Sequence, residues 1–130
     1  MKELLPPGWP RPKGYSNGMA AHGRMIVTAG VVGWDERQHF VSNTLAGQFE
    51  QVLRNILAII ACDGAGPTNI TRLTCYVTSI DEYLASLKEI GAAWKEVIGP
   101  HYPAMALVEV VRLVEPAAKV EIEAIAMIPE

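Results

Sequence analysis

Residues 101–130 read HYPAMALVEVVRLVEPAAKVEIEAIAMIPE, and the two alternations inside that stretch decide the fold. Over residues 105–111 the even positions Ala106, Val108 and Val110 form one apolar face, while the odd positions run Met105, Leu107, Glu109, Val111. Over residues 119–128 the even positions Val120, Ile122, Ala124, Ala126 and Ile128 are again all apolar, and the odd ones carry Lys119, Glu121, Glu123, Ile125 and Met127. Period-two alternation marks a strand with one face in the core and one facing outward. The even residues are expected to be the core face of both strands. The odd face holds too much Met, Leu and Ile for open water and too many carboxylates for a core. A wall shared with another subunit, with a polar pocket in it, satisfies both facts.

Upstream, residues 19–21 can form a short edge strand, turned by His22-Gly23. Residues 24–32, RMIVTAGVV, are rich in β-branched side chains and apolar on both faces, the pattern of a central strand covered on both sides. Residues 33–41 form a polar excursion containing Trp34, Asp35 and Glu36. Leu45, Phe49, Val52, Leu53, Ile56, Leu57 and Ile60 then fall at helical spacing. Ser42 or Asn43 can cap that helix, and Gly64 and Pro67 end it. Residues 70–78 alternate as a third long strand. A second helix opens on a capping box, Ser79 with Glu82, presents Leu84, Leu87, Ile90, Trp94, Val97 and Ile98 on one face, and stops at Gly99-Pro100. The order is β-β-α-β-α-β-β, an α+β arrangement. Two amphipathic helices cover one face of such a sheet but not both. A second copy of the chain is the natural cover for the other.

A chain of 130 residues is expected to be a single domain, residues 1–130, whose first 14 residues form an extended, proline-rich arm. Half the residues are apolar and the net charge is −3, with no basic run. Nucleic acid is therefore not an implied partner. No stretch approaches the ~20 apolar residues of a membrane span, and the start of the chain lacks an apolar signal core. Cys62 and Cys75 are lone cysteines without CxxC spacing, which fits reduced thiols in a cytoplasmic protein. His22, His39 and His101 lack metal-ligand spacing.

GYSNGMAAHGRMIVTAG, QFEQVLRNILAIIACDGAG, ITRLTCYVTSIDEY and YPAMALVEVVRLVEPAAKVEIEAIA follow one another from Gly14 onward. In that order they resemble the Rid family, the reactive intermediate deaminases, also called YjgF-like proteins or L-PSP endoribonucleases. The resemblance implies a chorismate-mutase-like fold in a homotrimer, with a small-molecule cleft at each subunit interface. The activity it implies is hydrolysis of enamines and imines to a carbonyl compound and ammonia, without cofactor or metal.

Carried over position by position, the resemblance assigns a water-orienting acid to Glu121. It assigns a backbone amide facing the ligand to Gly30 and an arm tyrosine closing the cleft to Tyr15. The backbone near Gly30 and Leu107 is expected to hold developing negative charge. Four positions depart from the pattern. Met105 stands where active members have the arginine that forks onto a substrate carboxylate, Leu107 where many have cysteine, Ala29 where a serine precedes the glycine, and Leu87 where asparagine is usual. Methionine offers no charge-assisted hydrogen bond, and loss of a buried pair of that kind costs about 2–5 kcal/mol. The departures together imply a cleft re-cut for a flatter or more apolar ligand. Trp34 is a candidate cover for an aromatic ligand and His101 a candidate acid or base at the cleft mouth, each with packing or surface placement as its plain alternative. Arg112 matches a structural arginine and is no obvious substitute for the missing one. The expected function is an enamine or imine deaminase of altered substrate class. The alternative is a non-catalytic trimer that binds or senses a small apolar metabolite.

Overall fold

The structure, a computed structural model, describes residues 1–130. The most apolar alternation in the chain, β7 (Val120–Ile128), runs through the middle of the main sheet. It pairs antiparallel with β5 (Ile70–Val77) on one side, and with β3 (Arg24–Val27) and β4 (Val31–Val32) on the other. β6 (Ala104–Glu109) pairs parallel with β5 and closes the order β3-β7-β5-β6. Val120, Ile122, Ala124 and Ala126 are at most 2% exposed and meet Phe49, Val52, Leu53, Ile56 and Ile60 of α1 (Leu45–Ala61). Ile90, Trp94 and Val97 of α3 (Leu87–Val97) complete the same cluster. Each fully buried aliphatic side chain contributes roughly 1.5–3 kcal/mol of transfer free energy. All of this cover lies on one face of the sheet, as the count of amphipathic helices requires. Cys62 and Cys75 are both free, and burial pushes the Cys75 thiol up to about 12, so it stays protonated in the core.

The alternation in β6 is present, but its faces are reversed from the expectation. Leu73 lies beside Met105 and Cys75 beside Leu107 in the parallel register, so the odd residues of β6 share the face of the buried residues of β5. Met105 and Leu107 pack on the core, and Val108 is exposed on the other side. Alternation separates two faces of a strand without saying which is inside. The register with a neighbour decides that.

Residues 24–32 are not one central strand either. Hydrogen bonding interrupts them at Thr28, whose amide donates to the Ala124 carbonyl (2.9 Å) while its hydroxyl accepts from the Ala124 amide (3.0 Å). The two pieces, β3 and β4, lie at the edge of the sheet, paired only with β7. Met25 and Val27 are 58% and 64% exposed. The second apolar face read in this segment therefore has no cover within the chain. At the turn before it, Gly23 takes φ +140°, and any side chain there would strike the Ile128 carbonyl.

Three local details also differ from expectation. Thr44 caps α1 by accepting from the Gly47 amide (3.1 Å), while Ser42 supports it from behind by accepting from the Thr44 amide (3.0 Å). The second helix breaks at Ser86 into α2 (Ile80–Ala85) and α3, with the Ser86 hydroxyl bonded to the Glu82 carbonyl (2.7 Å). The break leaves Leu84 and Leu87 exposed and outside the core. Ser79 accepts from the Glu82 amide (3.0 Å), but the Glu82 carboxylate turns to Lys119 Nζ (2.8 Å) instead of closing the capping box. The arm is extended and it is also paired: β1 (Lys2–Leu4) forms a two-stranded ribbon with β2 (Gly18–Ala20), the short strand expected one residue later.

Candidate functional site

The candidate residues divide into two groups, one on each side of the sheet. The first group surrounds a cavity of about 530 Å³ between β6, α3 and the arm. The arm is pinned there by Ser16, which is buried, donates its amide to the Pro103 carbonyl (3.0 Å) and bonds its hydroxyl to the Tyr102 carbonyl. Gly14, at φ +81°, turns the backbone just before the pin. Lys13, Gly14 and Tyr15 consequently lie on the cavity wall. Met105 and Leu107 contribute from β6, and Leu87, Ile90, Gly91 and Trp94 from α3. The remaining wall is aromatic. Phe49 and Tyr83 sit with ring centres 6.4 Å apart, and Trp94 stacks on Tyr102 at 6.0 Å with the planes 8° apart.

Tyr15, Leu87, Met105 and Leu107, which the resemblance singled out separately along the chain, thus share one space. His101 does not line it. Its Nε2 sits 2.7 Å from the Ile70 carbonyl oxygen, and its own carbonyl accepts from Trp94 Nε1 (3.2 Å), so it ties the end of α3 to β5 and steadies the Trp94 ring.

The second group lies on the bare face. Glu121 stands on β7 between Val32 of β4 and Tyr76 of β5. Its carboxylate makes no hydrogen bond or ion pair within the chain. A side chain at residue 30 would meet that carboxylate and push it aside, so glycine lets the loop between β3 and β4 lie against Glu121 as it stands. Ala29 precedes it, exposed, with its carbonyl accepting from the Thr28 hydroxyl (2.8 Å). Glu123 accepts instead from the Tyr76 hydroxyl (2.6 Å), and this bond raises the Tyr76 pKa above its ordinary value.

Trp34 belongs to neither group. It packs on Phe40 with ring centres 5.8 Å apart, and its carbonyl accepts from Asn55 Nδ2 (2.7 Å). The hairpin it starts is closed by Asp35, whose carboxylate accepts from the His39 and Arg37 amides, bonds that lower its pKa.

β5 lies between β6 and β7. The two groups are thus separated by two strand spacings, roughly 10 Å, and project to opposite faces. One chain cannot close both around one small molecule. Sequence reasoning did not single out Lys13, Phe49, Tyr83 or Tyr102 for the cavity, and it placed Trp94 in the core alone. Phe49 and Trp94 carry ordinary core spacing, which does not separate a cavity wall from a packed core. A larger groove of about 1370 Å³ runs between the 40–43 and 112–119 loops, and no candidate site residue lines it. Its buried polar group, Gln48, is fully used, donating to the Ser42 and Ala117 carbonyls and accepting from the Lys119 amide. No three His, Cys, Asp or Glu side chains are grouped to hold a metal ion, and no helix is long and apolar enough to cross a membrane.

Comparison with known proteins bears on this arrangement. The family model described as endoribonuclease L-PSP matches residues 10–128. The 2-iminobutanoate/2-iminopropanoate deaminase of Salmonella typhimurium is 30% identical over 108 residues, 81% of this chain and 80% of that protein. A RutC family protein of Pyrococcus horikoshii is 33% identical over 129 residues, 97% of this chain and 98% of the relative. Among solved structures, a Rid-family protein of unknown function from Yersinia pestis superposes with a TM-score of 0.84 at 28% identity, over 98% of each chain.

Proposed function

This chain belongs to the Rid family, which the endoribonuclease L-PSP model describes, and on that premise we propose that it hydrolyses an imine or enamine whose body is more apolar than a short 2-imino acid. The observation that carries this reading is the cavity wall: Met105, where the resemblance expects a carboxylate-binding arginine, lies amid Leu87, Leu107 and stacked aromatic rings. A wall of that kind favours an apolar ligand by desolvation and gives a small carboxylate no forked partner.

The chemistry is assigned to Glu121. Its free carboxylate takes a proton from water as the oxygen adds to the C=N carbon, giving a carbinolamine. The same carboxyl returns that proton to nitrogen, then takes the carbinolamine hydroxyl proton as the C=O bond forms and passes it to the departing nitrogen, so the C–N bond breaks and a carbonyl compound and ammonia leave. Glu121 and the cavity are on opposite faces of one protomer, so the complete site is proposed to form between copies in a homotrimer. One copy contributes the cavity and its neighbour contributes Gly30 and Glu121. The exposed Met25, Val27 and Val108 give the bare face the apolar surface such an assembly buries.

The test is ammonia release from a panel of freshly generated imines, from 2-iminopropanoate to aromatic imines, followed by a mixing experiment. Glu121→Gln and a cavity-blocking Gly91→Trp should each be inactive alone. Refolded together, they should regain part of the activity, because some seams pair an intact cavity with an intact Glu121. If mixing restores nothing although hybrid trimers form, the shared site is wrong. A non-catalytic binder remains the second reading, favoured by the same apolar wall. It is supported if ligands bind in the cavity and none of the panel turns over.

A further inference from the structure

Resting on the reading of this cavity as the ligand site, we infer that its ligand carries an anionic group on an aromatic body, and that Lys13 holds that anion from the arm. Lys13 is the single charged residue on the cavity wall, and it takes part in no ion pair or hydrogen bond within the chain. The other basic side chains of the arm region are engaged or lie elsewhere: Arg11 pairs with Glu3 (2.6 Å), and Arg24 with Asp63 (2.9 Å). No carboxylate of the same chain lines the cavity to compete for the ammonium.

The position of Lys13 is set by structure on both sides. Ser16 is buried against the carbonyls of Tyr102 and Pro103, and Gly14 reverses the backbone between that pin and Lys13. A lysine at this place reaches the cavity wall from the arm on a flexible stem, whereas an arginine at residue 105 would rise from strand β6. A volume of about 530 Å³ is ample for an aromatic ring with a short chain. The apolar body then lies against Trp94, Tyr102 and Met105, and its anion reaches outward to Lys13, in water-accessible surroundings where a point charge suits a single carboxylate oxygen better than a forked grip.

The inference is tested by binding, independently of turnover. Titration calorimetry with 3-phenylpropanoate and its uncharged amide, 3-phenylpropanamide, should show the carboxylate binding about fivefold more tightly at low salt, the size of an exposed ion pair. The preference should vanish in Lys13→Gln, persist in Lys13→Arg, and shrink in 0.5 M salt as screening demands. Equal binding of the two ligands to the unaltered protein overturns the inference, as does a preference that survives in Lys13→Gln, or no binding of either compound. Loss of imine hydrolysis across the panel, with the Lys13-dependent preference intact, would count against the deaminase reading alone.

Discussion

The two faces of β7 are built from one alternating sequence and meet opposite fates. Val120, Ile122, Ala124 and Ala126 vanish under α1 and α3, while Glu121, Glu123, Ile125 and Met127, one residue out of step, stay partly open. On the covered side the core is closed within the chain and Gln48 has all its partners. The bare side is unfinished. It combines exposed Met25 and Val27 with a carboxylate at Glu121 that has no partner. A face that mixes uncovered apolar surface with an unpaired acid is the kind that another protein surface completes. The difference teaches that the hydrophobic core is closed within one chain, while the proposed chemistry calls on an assembly of it.

Substitutions on the two faces break or sharpen that contrast, and the largest effect is expected from Ile122→Ala. It removes a fully buried side chain and should lower unfolding free energy by about 2–5 kcal/mol in urea melts. Ile125→Ala, three residues along on the bare face, should leave the protomer's stability nearly unchanged and weaken assembly instead, seen by sedimentation as a shift toward smaller species. Equal loss of protomer stability from both would erase the distinction between the faces. Next in size is Glu121→Gln, expected to slow hydrolysis by at least about 100-fold without altering the melt. An unchanged rate would remove Glu121 from the chemistry.

Met105→Arg tests the covered side in the opposite direction. It should gain about tenfold in kcat/KM on 2-iminopropanoate, because a forked donor then meets the small carboxylate. A trimer that folds with this substitution and gains nothing shows that Met105 is not what sets ligand class. The smallest effect concerns protonation on the bare face. The Glu123 carboxylate holds the Tyr76 phenol protonated, so its pKa is raised in the folded state. The stabilising bond is intact below the ordinary tyrosine pKa and is lost as pH rises through the raised folded value. Ultraviolet titration should place Tyr76 above the other exposed tyrosines, and Glu123→Gln should bring it back among them.

The elements themselves were legible because their signals are local. The spacing of Phe49, Val52, Leu53, Ile56 and Ile60, the Ser79 cap and the stop at Gly99 each depend on neighbours a few residues away. The alternation of β7 was legible in both period and phase, since only one of its faces is wholly apolar. β6 was different. Both of its faces carry apolar residues, so the phase was ambiguous, and the parallel register with β5 turned Met105 and Leu107 inward. The split of residues 24–32 was hidden for a similar reason, because β-branched residues look alike at an edge and in the middle of a sheet.

Within the candidate site, the motif resemblance named Tyr15, Ala29, Gly30, Met105, Leu107 and Glu121 one at a time. It did not say that Tyr15, Leu87, Met105 and Leu107 would gather at one cavity while the Gly30–Glu121 pair fell on the other side of β5. Trp34 was singled out for its aromatic ring, and within the chain that ring packs on Phe40 across a hairpin, away from the cavity. Lys13 carried no signal, since a lysine in a proline-rich arm is indistinguishable from a solvated one.

The sequence by itself determined the place of the main helices and of the long strands, the one-sided helical cover, the family and the absence of an arginine at residue 105. Periodicity, capping and motif order are written in residues close along the chain. Tertiary structure alone decided which face of β6 looks inward, that the second helix breaks at Ser86, and that the arm, pinned by Ser16, brings Lys13 to an aromatic cavity wall. Those outcomes depend on strand register and on contacts between distant segments, such as Ser16 with Pro103, whose free energy no local pattern encodes.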